Sequence, residues 1–270
     1  MPHSLIWLPR VLKNAGLKIA VVEGWESRGP RDMGEILGVM CHHTAGPRKG
    51  NMPSLNTLIN GRTNLSGPLS QLGLGRDGTY YIISAGRCNH AGPGIWRGLV
   101  NGNSNFIGIE AENTGKPDDL PWPEIQLDAY RRGVAAILKH VGRSVEFCAS
   151  HREYARPPGR KSDVSFDMNE FRSSVAAIMN GTAPAPVLIP ATEPVVNGVD
   201  GRPTLRRGAN GGFVRAIQQK FGIAISGVFN AETEALVREF QRANRLVPDG
   251  IVGPKTWKVL DAKFGRINEQ

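Results

Sequence analysis

The chain has 270 residues, with 33 Lys and Arg against 24 Asp and Glu, a net charge of +9, and 40% hydrophobic residues. At roughly 150 residues per domain this length predicts two compact units, and the ordinary balance of apolar and charged residues excludes disorder throughout. No run approaches the ~18 consecutive apolar residues of a membrane span, which excludes stable membrane insertion. Residues 4–17 are broken by Pro9, Arg10, Lys13 and Asn14 and do not read as a secretory signal. The positive balance favours a polyanionic partner, whether nucleic acid, an anionic membrane or an acidic cell wall. Cys41, Cys88 and Cys148 are odd in number and form no C-x-x-C pair. They read as buried thiols of a chain made in a reducing compartment rather than as a disulfide scaffold.

Four short runs rich in Ile, Val, Phe and Tyr, at residues 36–41, 79–84, 106–112 and 145–149, read as strands. Between the last two, Leu127, Tyr130, Val134, Ile137, Leu138 and Val141 follow helical spacing. A final helix is expected from Asp167, with Glu170 completing a capping box and Phe166 stapled against Phe171. Residues 1–180, with a core at 36–179, are therefore expected to form an α/β unit in which helices flank a mixed central sheet. Residues 181–201 (GTAPAPVLIPATEPVVNGVDG) hold four prolines and no Lys or Arg, and read as an extended linker. Residues 202–270 contain a weak repeat, GVFNAET at 227–233 against GIVGPKT at 250–256. Asn230 can cap a helix carrying Leu236, Val237 and Phe240, and Pro254 sits where a first-turn proline is tolerated, ahead of Trp257 and Leu260. An earlier helix with Val214, Ile217 and Phe221 gives a small all-α unit of three helices. Residues 203–270 hold 11 basic and 6 acidic groups, so this shorter part is the more basic per residue.

His42 and His43 follow the first predicted strand and His151 follows the fourth, where a rigid scaffold offers side chains to a cleft. Asp163 comes twelve residues after His151, beyond a Pro157-Pro158-Gly159 turn that can swing its carboxylate back. Two imidazoles and a carboxylate can bind zinc and leave a fourth position for water. On spacing alone, histidines satisfied in the core or at the surface are the competing reading. Successive strand side chains point to opposite faces, so His42 and His43 cannot both ligate one metal.

Five motifs occur together: VMCHHTAG at 39–46, GRDGT at 75–79, NHAG at 89–92, NFIGIEAE at 105–112, and SHRE with PGRKSD over 150–163. In this order they resemble the zinc-dependent N-acetylmuramoyl-L-alanine amidases that include phage lysozymes, peptidoglycan recognition proteins and bacterial muropeptide amidases. The resemblance implies one zinc ion held by His42, His151 and Asp163. It also implies Glu110 as the acidic residue beside the metal-bound water and Lys161 as the cation facing the scissile carbonyl. His90, His43 and Asn89 are expected along the substrate groove, with His43 read first as a structural residue and His90 left open as a third nitrogen ligand behind Asp163. Glu112 alternates to the face of Glu110, leaving a swap of their roles open. Some phage relatives carry a catalytic tyrosine where this chain has Ser70, so a tyrosine-assisted mechanism is not expected.

The C-terminal motifs PTLRRG at 203–208, VRAIQ at 214–218, GVFN at 227–230, VREFQ at 237–241 and DGIVGPKTW at 249–257 resemble the three-helix peptidoglycan-binding modules of wall hydrolases. Together the resemblances imply a wall hydrolase with peptidoglycan, not nucleic acid, as its partner; with no export signal visible, a basic balance and a compact layout, it is read as an endolysin and expected to be a monomer. It would wait in the host cytoplasm and act on the bacterial wall and periplasm after the membrane is opened. A binding protein without activity, a zinc peptidase cutting within the stem peptide, and a nonhaem iron site are the competing readings.

Overall fold

A computed structural model describes residues 1, 3–187 and 201–268. The linker expected over 181–201 therefore lies largely, at 188–200, outside the described residues. The chain divides into two compact units, Met1–Val187 and Leu188–Gln270.

The first unit begins with α1 (Leu8–Asn14) and β1 (Ile19–Val21), followed by β2 (Gly38–His43). Next come α2 (Leu55–Asn60) and a small hairpin of β3 (Gly61–Arg62) and β4 (Leu65–Ser66), then β5 (Leu72–Leu74) and β6 (Tyr80–Ile82). A short α3 (Gly102–Asn105) opens into β7 (Phe106–Ala111), and the long α4 (Glu124–His140) leads to β8 (Cys148–Ser150), α5 (His151–Tyr154) and α6 (Met168–Met179). The six-stranded sheet runs β1-β6-β5-β7-β2-β8 and is parallel except between β5 and β6. The unit is the expected α/β fold with a mixed sheet.

Two expectations shift. The strand expected at 36–41 continues through both histidines. Of the run at 145–149, residues Val145–Phe147 form a single 3-10 turn, and the strand starts only at Cys148. There the chain is still turning out of α4, which ends beside Gly142 at φ 66. Residues 1–35 build the sheet edge: β1 pairs with β6, and Leu8, Leu12 and Trp25 enter the core.

Strand alternation decides what each face carries. Val39, Cys41, Ile107 and Ile109 pack into the large core with Val134, Ile137, Phe171 and Val175 of α4 and α6. Met40 and Phe106 belong to a second cluster with Ala91 and Tyr154. His42 follows Met40 by two residues and Glu110 follows Phe106 by four, so both lie on this second face. The parallel register sets them opposite one another, His42 against Glu110. All three cysteines are buried, with Cys41 and Cys148 sulfurs 3.7 Å apart.

In the second unit α7 (Gly212–Lys220), α8 (Ala231–Ala243) and α9 (Pro254–Phe264) surround Val214, Ile217, Phe229, Val237, Trp257 and Leu260. Asn230 caps α8 through the Thr233 N–H, 2.9 Å away, and Pro254 opens α9. The repeat is structural as well. Gln218 accepts from the Gly227 N–H and donates to Ser226, the Val228 carbonyl and Thr233. Gln241 accepts from the Gly250 N–H and donates to Asp249, the Ile251 carbonyl and Thr256. Each partner is displaced by the same 23 positions as the sequence repeat.

Candidate metal centre

His42, at the end of β2, is held by its own backbone: its N–H donates to the Tyr130 hydroxyl of α4 at 2.9 Å, and that hydroxyl lies 2.9 Å from the Ile109 carbonyl of β7. Tyr130 was legible only as an apolar helix position, yet it ties together the two strands that carry His42 and Glu110. His151 is the first residue of α5. Ser150 caps this helix in a reciprocal box, its N–H donating to Glu153 at 2.9 Å and its Oγ accepting from the Glu153 N–H. Arg172 of α6 grips Glu153 at 2.9 Å. Asp163 returns on the loop after α5, where its carbonyl accepts from the Arg152 N–H at 2.6 Å. At the next helix Asp167 accepts from the N–H groups of Asn169 and Glu170, and Phe166 stacks on Phe171 with centroids 4.8 Å apart.

These elements bring three side-chain atoms together. The Nδ1 atoms of His42 and His151 lie 3.0 Å apart, and Asp163 Oδ2 lies 3.1 Å from each. A tetrahedral ion with ligand bonds of ~2.0–2.1 Å spaces its ligand atoms ~3.3 Å apart, close to this triangle. All three residues are buried.

The tautomers are forced by their outer partners. His151 Nε2 lies 2.8 Å from the Ala91 carbonyl, which can only accept, so this nitrogen carries the proton. His90 Nε2 faces the Phe106 carbonyl at 3.2 Å and donates for the same reason. His90 Nδ1 is left as an acceptor for His42 Nε2–H at 3.1 Å. Burial, then the neighbouring His151, lowers the His42 pKa to about 4, so its ring is neutral. Two nitrogen lone pairs and a carboxylate oxygen thus converge with no proton between them. Such a donor set fits a divalent cation.

Glu110 Oε1 lies 3.9 Å from His42 Nδ1, and its Oε2 is buried without a hydrogen-bond partner. Burial first, then Asp163, push its pKa up to about 8. Glu112 does not share this position: it accepts from the Ser54 N–H and from the Ser54 and Thr44 hydroxyls. Its carboxylate fastens the 44–54 loop beside the site.

A cavity of about 540 Å³ opens over the triangle, lined by Thr44, Arg62, Leu69, Glu110, Arg160 and Lys161 among others. The three residues expected along the groove reach its wall, His90 and Asn89 through hydrogen-bonded side chains, whereas His43 Nδ1 has no hydrogen-bond partner among the described residues. Both His90 nitrogens are used internally. Asn89 donates to the Ser66 carbonyl and accepts from Arg87, tying β4 to the wall. His43 turns to the opposite strand face, packed between Gly115 and Trp122, its centroid 6.3 Å from the indole. Leu69 faces the cavity, whereas Ser70 is fully buried behind it.

The sequence profile of the N-acetylmuramoyl-L-alanine amidase family matches residues 32–165, and that of the peptidoglycan binding domain matches residues 214–260. An uncharacterized protein from the bpoA1 3' region of Kitasatospora aureofaciens is 39% identical over 66 residues, a match spanning 22% of this chain and 56% of that protein. Among solved structures, a selenomethionine derivative of AmpD aligns at 20% identity with a TM-score of 0.44, covering 58% of this chain and 93% of that one. The amidase AmiD from E. coli, in complex with anhydro-N-acetylmuramic acid-L-Ala-D-gamma-Glu-L-Lys, aligns at 18% identity with a TM-score of 0.43, covering 88% of this chain and 93% of that one. Residues 32–165 are thus an N-acetylmuramoyl-L-alanine amidase domain, followed by a peptidoglycan binding domain at 214–260.

Proposed function

We propose that this protein is a zinc-dependent peptidoglycan hydrolase that cleaves the amide between the lactyl group of N-acetylmuramate and L-alanine. One observation carries the reading: the converging lone-pair donors of His42, His151 and Asp163, the last two of which line an open cavity. A zinc ion held by these three residues would supply Lewis acidity and bring the pKa of water from about 15.7 towards about 7. Glu110, with Oε1 3.9 Å from His42 Nδ1, would hold a proton taken from the attacking water and release it to the leaving nitrogen, a role that its raised proton affinity supports. Lys161, on the cavity wall, stabilises the oxyanion that develops on the scissile carbonyl. The C-terminal unit, with 11 basic against 6 acidic residues over 203–270, holds the enzyme on the wall and raises the local substrate concentration.

The finer reading is an endolysin that degrades the wall of a bacterial host from within. Purified protein given wall material is expected to release intact stem peptides with a new N-terminal L-alanine. Chelation should abolish that activity and zinc should restore it. Shortened stem peptides in the mass spectrum make it a peptidase instead, and uncut wall with zinc bound makes it a receptor.

A further inference from the structure

Resting on the zinc-amidase reading, we infer that Asn103 is a positioning residue which, through the His90-Ala91 segment, orients both imidazole ligands at once. Asn103 Oδ1 accepts the His90 N–H at 2.9 Å and the Ala91 N–H at 2.7 Å. Both partners are donors, so the amide orientation is forced. The two backbone bonds fix what the segment presents on its other side. The Ala91 carbonyl receives His151 Nε2–H, and the His90 ring receives His42 Nε2–H. One short loop therefore holds a proton on the outer nitrogen of each ligand and leaves both Nδ1 lone pairs facing inward.

The grip continues along the same stretch of chain. Phe106, three residues beyond Asn103, supplies the carbonyl that accepts from His90 Nε2. Gly108 leaves room for the ring: a Cβ there would stand 2.8 Å from His90 Cγ and 2.9 Å from Nδ1. Arg160 adds a donor to the Ala91 carbonyl at 3.1 Å, joining this loop to the one that carries Asp163. Asn103 itself stands on α3 and does not line the cavity. It touches neither ligand and acts only through the loop.

Outer partners of this kind are worth ~10–100-fold in metal affinity or activity. Chelator competition on the full chain should find zinc bound ~10–100-fold more weakly by Asn103→Ala, with affinity restored in Asn103→Asp, whose carboxylate accepts the same two N–H groups. In zinc-loaded wild-type protein carrying 15N-histidine, His90 should be protonated on Nε2 and show coupling from His42 Nε2 across the hydrogen bond to His90 Nδ1. A wild-type His90 carrying its proton on Nδ1 overturns the inference. So does an Asn103→Ala protein that binds zinc as tightly as wild type. Should Asn103→Ala fail to fold, a folded Asn103→Asp with tenfold weaker zinc binding overturns it equally. The two readings separate cleanly. Wall cleavage with the wrong His90 tautomer keeps the amidase and discards this inference, whereas the expected spectrum with uncut wall does the reverse.

Discussion

The Nδ1 atoms of His42 and His151 face each other across 3.0 Å, and neither has a proton to give the other while its Nε2 donates outward. With Asp163 Oδ2 added 3.1 Å from both, the centre is a trap for a cation. Asp163→Ala removes the only formal charge of the triad. It should cost more zinc affinity than the ~10–100-fold typical of outer-shell changes. Zinc content after gel filtration measures this: one equivalent in wild type and none in the variant, with circular dichroism unchanged. A full equivalent retained by the variant removes Asp163 from the ligand set.

Glu110 gives the metal-free protein a pH signature. Its carboxyl titrates near 4.5 when unfolded and about 8 when folded, because burial and then Asp163 disfavour the charge. Between those values the folded state holds a proton that the unfolded state has released, so stability falls as pH rises through the window. Glu110→Gln has no such proton to hold. After chelation the variant should unfold like wild type near pH 4.5 and at a progressively higher temperature than wild type towards pH 8. It should also be inactive. Parallel melting curves across that range would show that the carboxyl is not strained by its site.

Lys161 lines the cavity but supplies no atom to the metal triad. If it meets charge that develops only in the transition state, Lys161→Met should lower kcat by ~10²–10³ with KM nearly unchanged, as loss of an oxyanion donor does. Zinc binding should persist. A rise in KM at constant kcat would instead make Lys161 a contact for the ground-state substrate.

Spacing alone left this centre open; the five ordered motifs and their resemblance to the amidases singled out His42, His151 and Asp163, and the structure brings those three side chains together. Alternation alone separated His42 from His43, and the structure sends them to opposite faces of β2. What the sequence hid were relationships between distant segments. The capping box that sets His151 uses Ser150 and Glu153, inside a helix of four residues too short to show a period. Tyr130 looked like core because only its ring enters the apolar layer, while its hydroxyl crosses to β2 and β7. Strands β1 and β5 have three residues each, below the length at which alternation becomes a signal. His90 was read as a groove residue because its Gly-rich neighbourhood suggests an exposed loop. It does line the cavity, but its ring packs against Gly108 and both nitrogens are engaged internally.

The C-terminal repeat offers a test of a different kind, because its two halves reuse one buried side chain. Gln218 and Gln241 lie nine residues before Gly227 and Gly250, outside the seven-residue motif that revealed the repeat, and each satisfies one loop N–H and one loop carbonyl. Replacing either by Ala leaves the buried Gly227 or Gly250 N–H without its acceptor, at about 1–3 kcal/mol, while the carbonyls of Val228 and Ile251 keep the hydroxyls of Ser226 and Thr256 as donors. For a domain of this size, each kcal/mol lowers the melting midpoint by ~4–8 °C. Gln218→Ala and Gln241→Ala should therefore destabilise the C-terminal unit to similar extents, and wall co-sedimentation of the full chain should fail at correspondingly lower temperature. The N-terminal unit has its own core, so cleavage of soluble muropeptides should keep its wild-type temperature dependence. If only one substitution has an effect, the repeat is a resemblance of sequence without equal structural weight. If both also lower muropeptide cleavage, the two units do not fold independently.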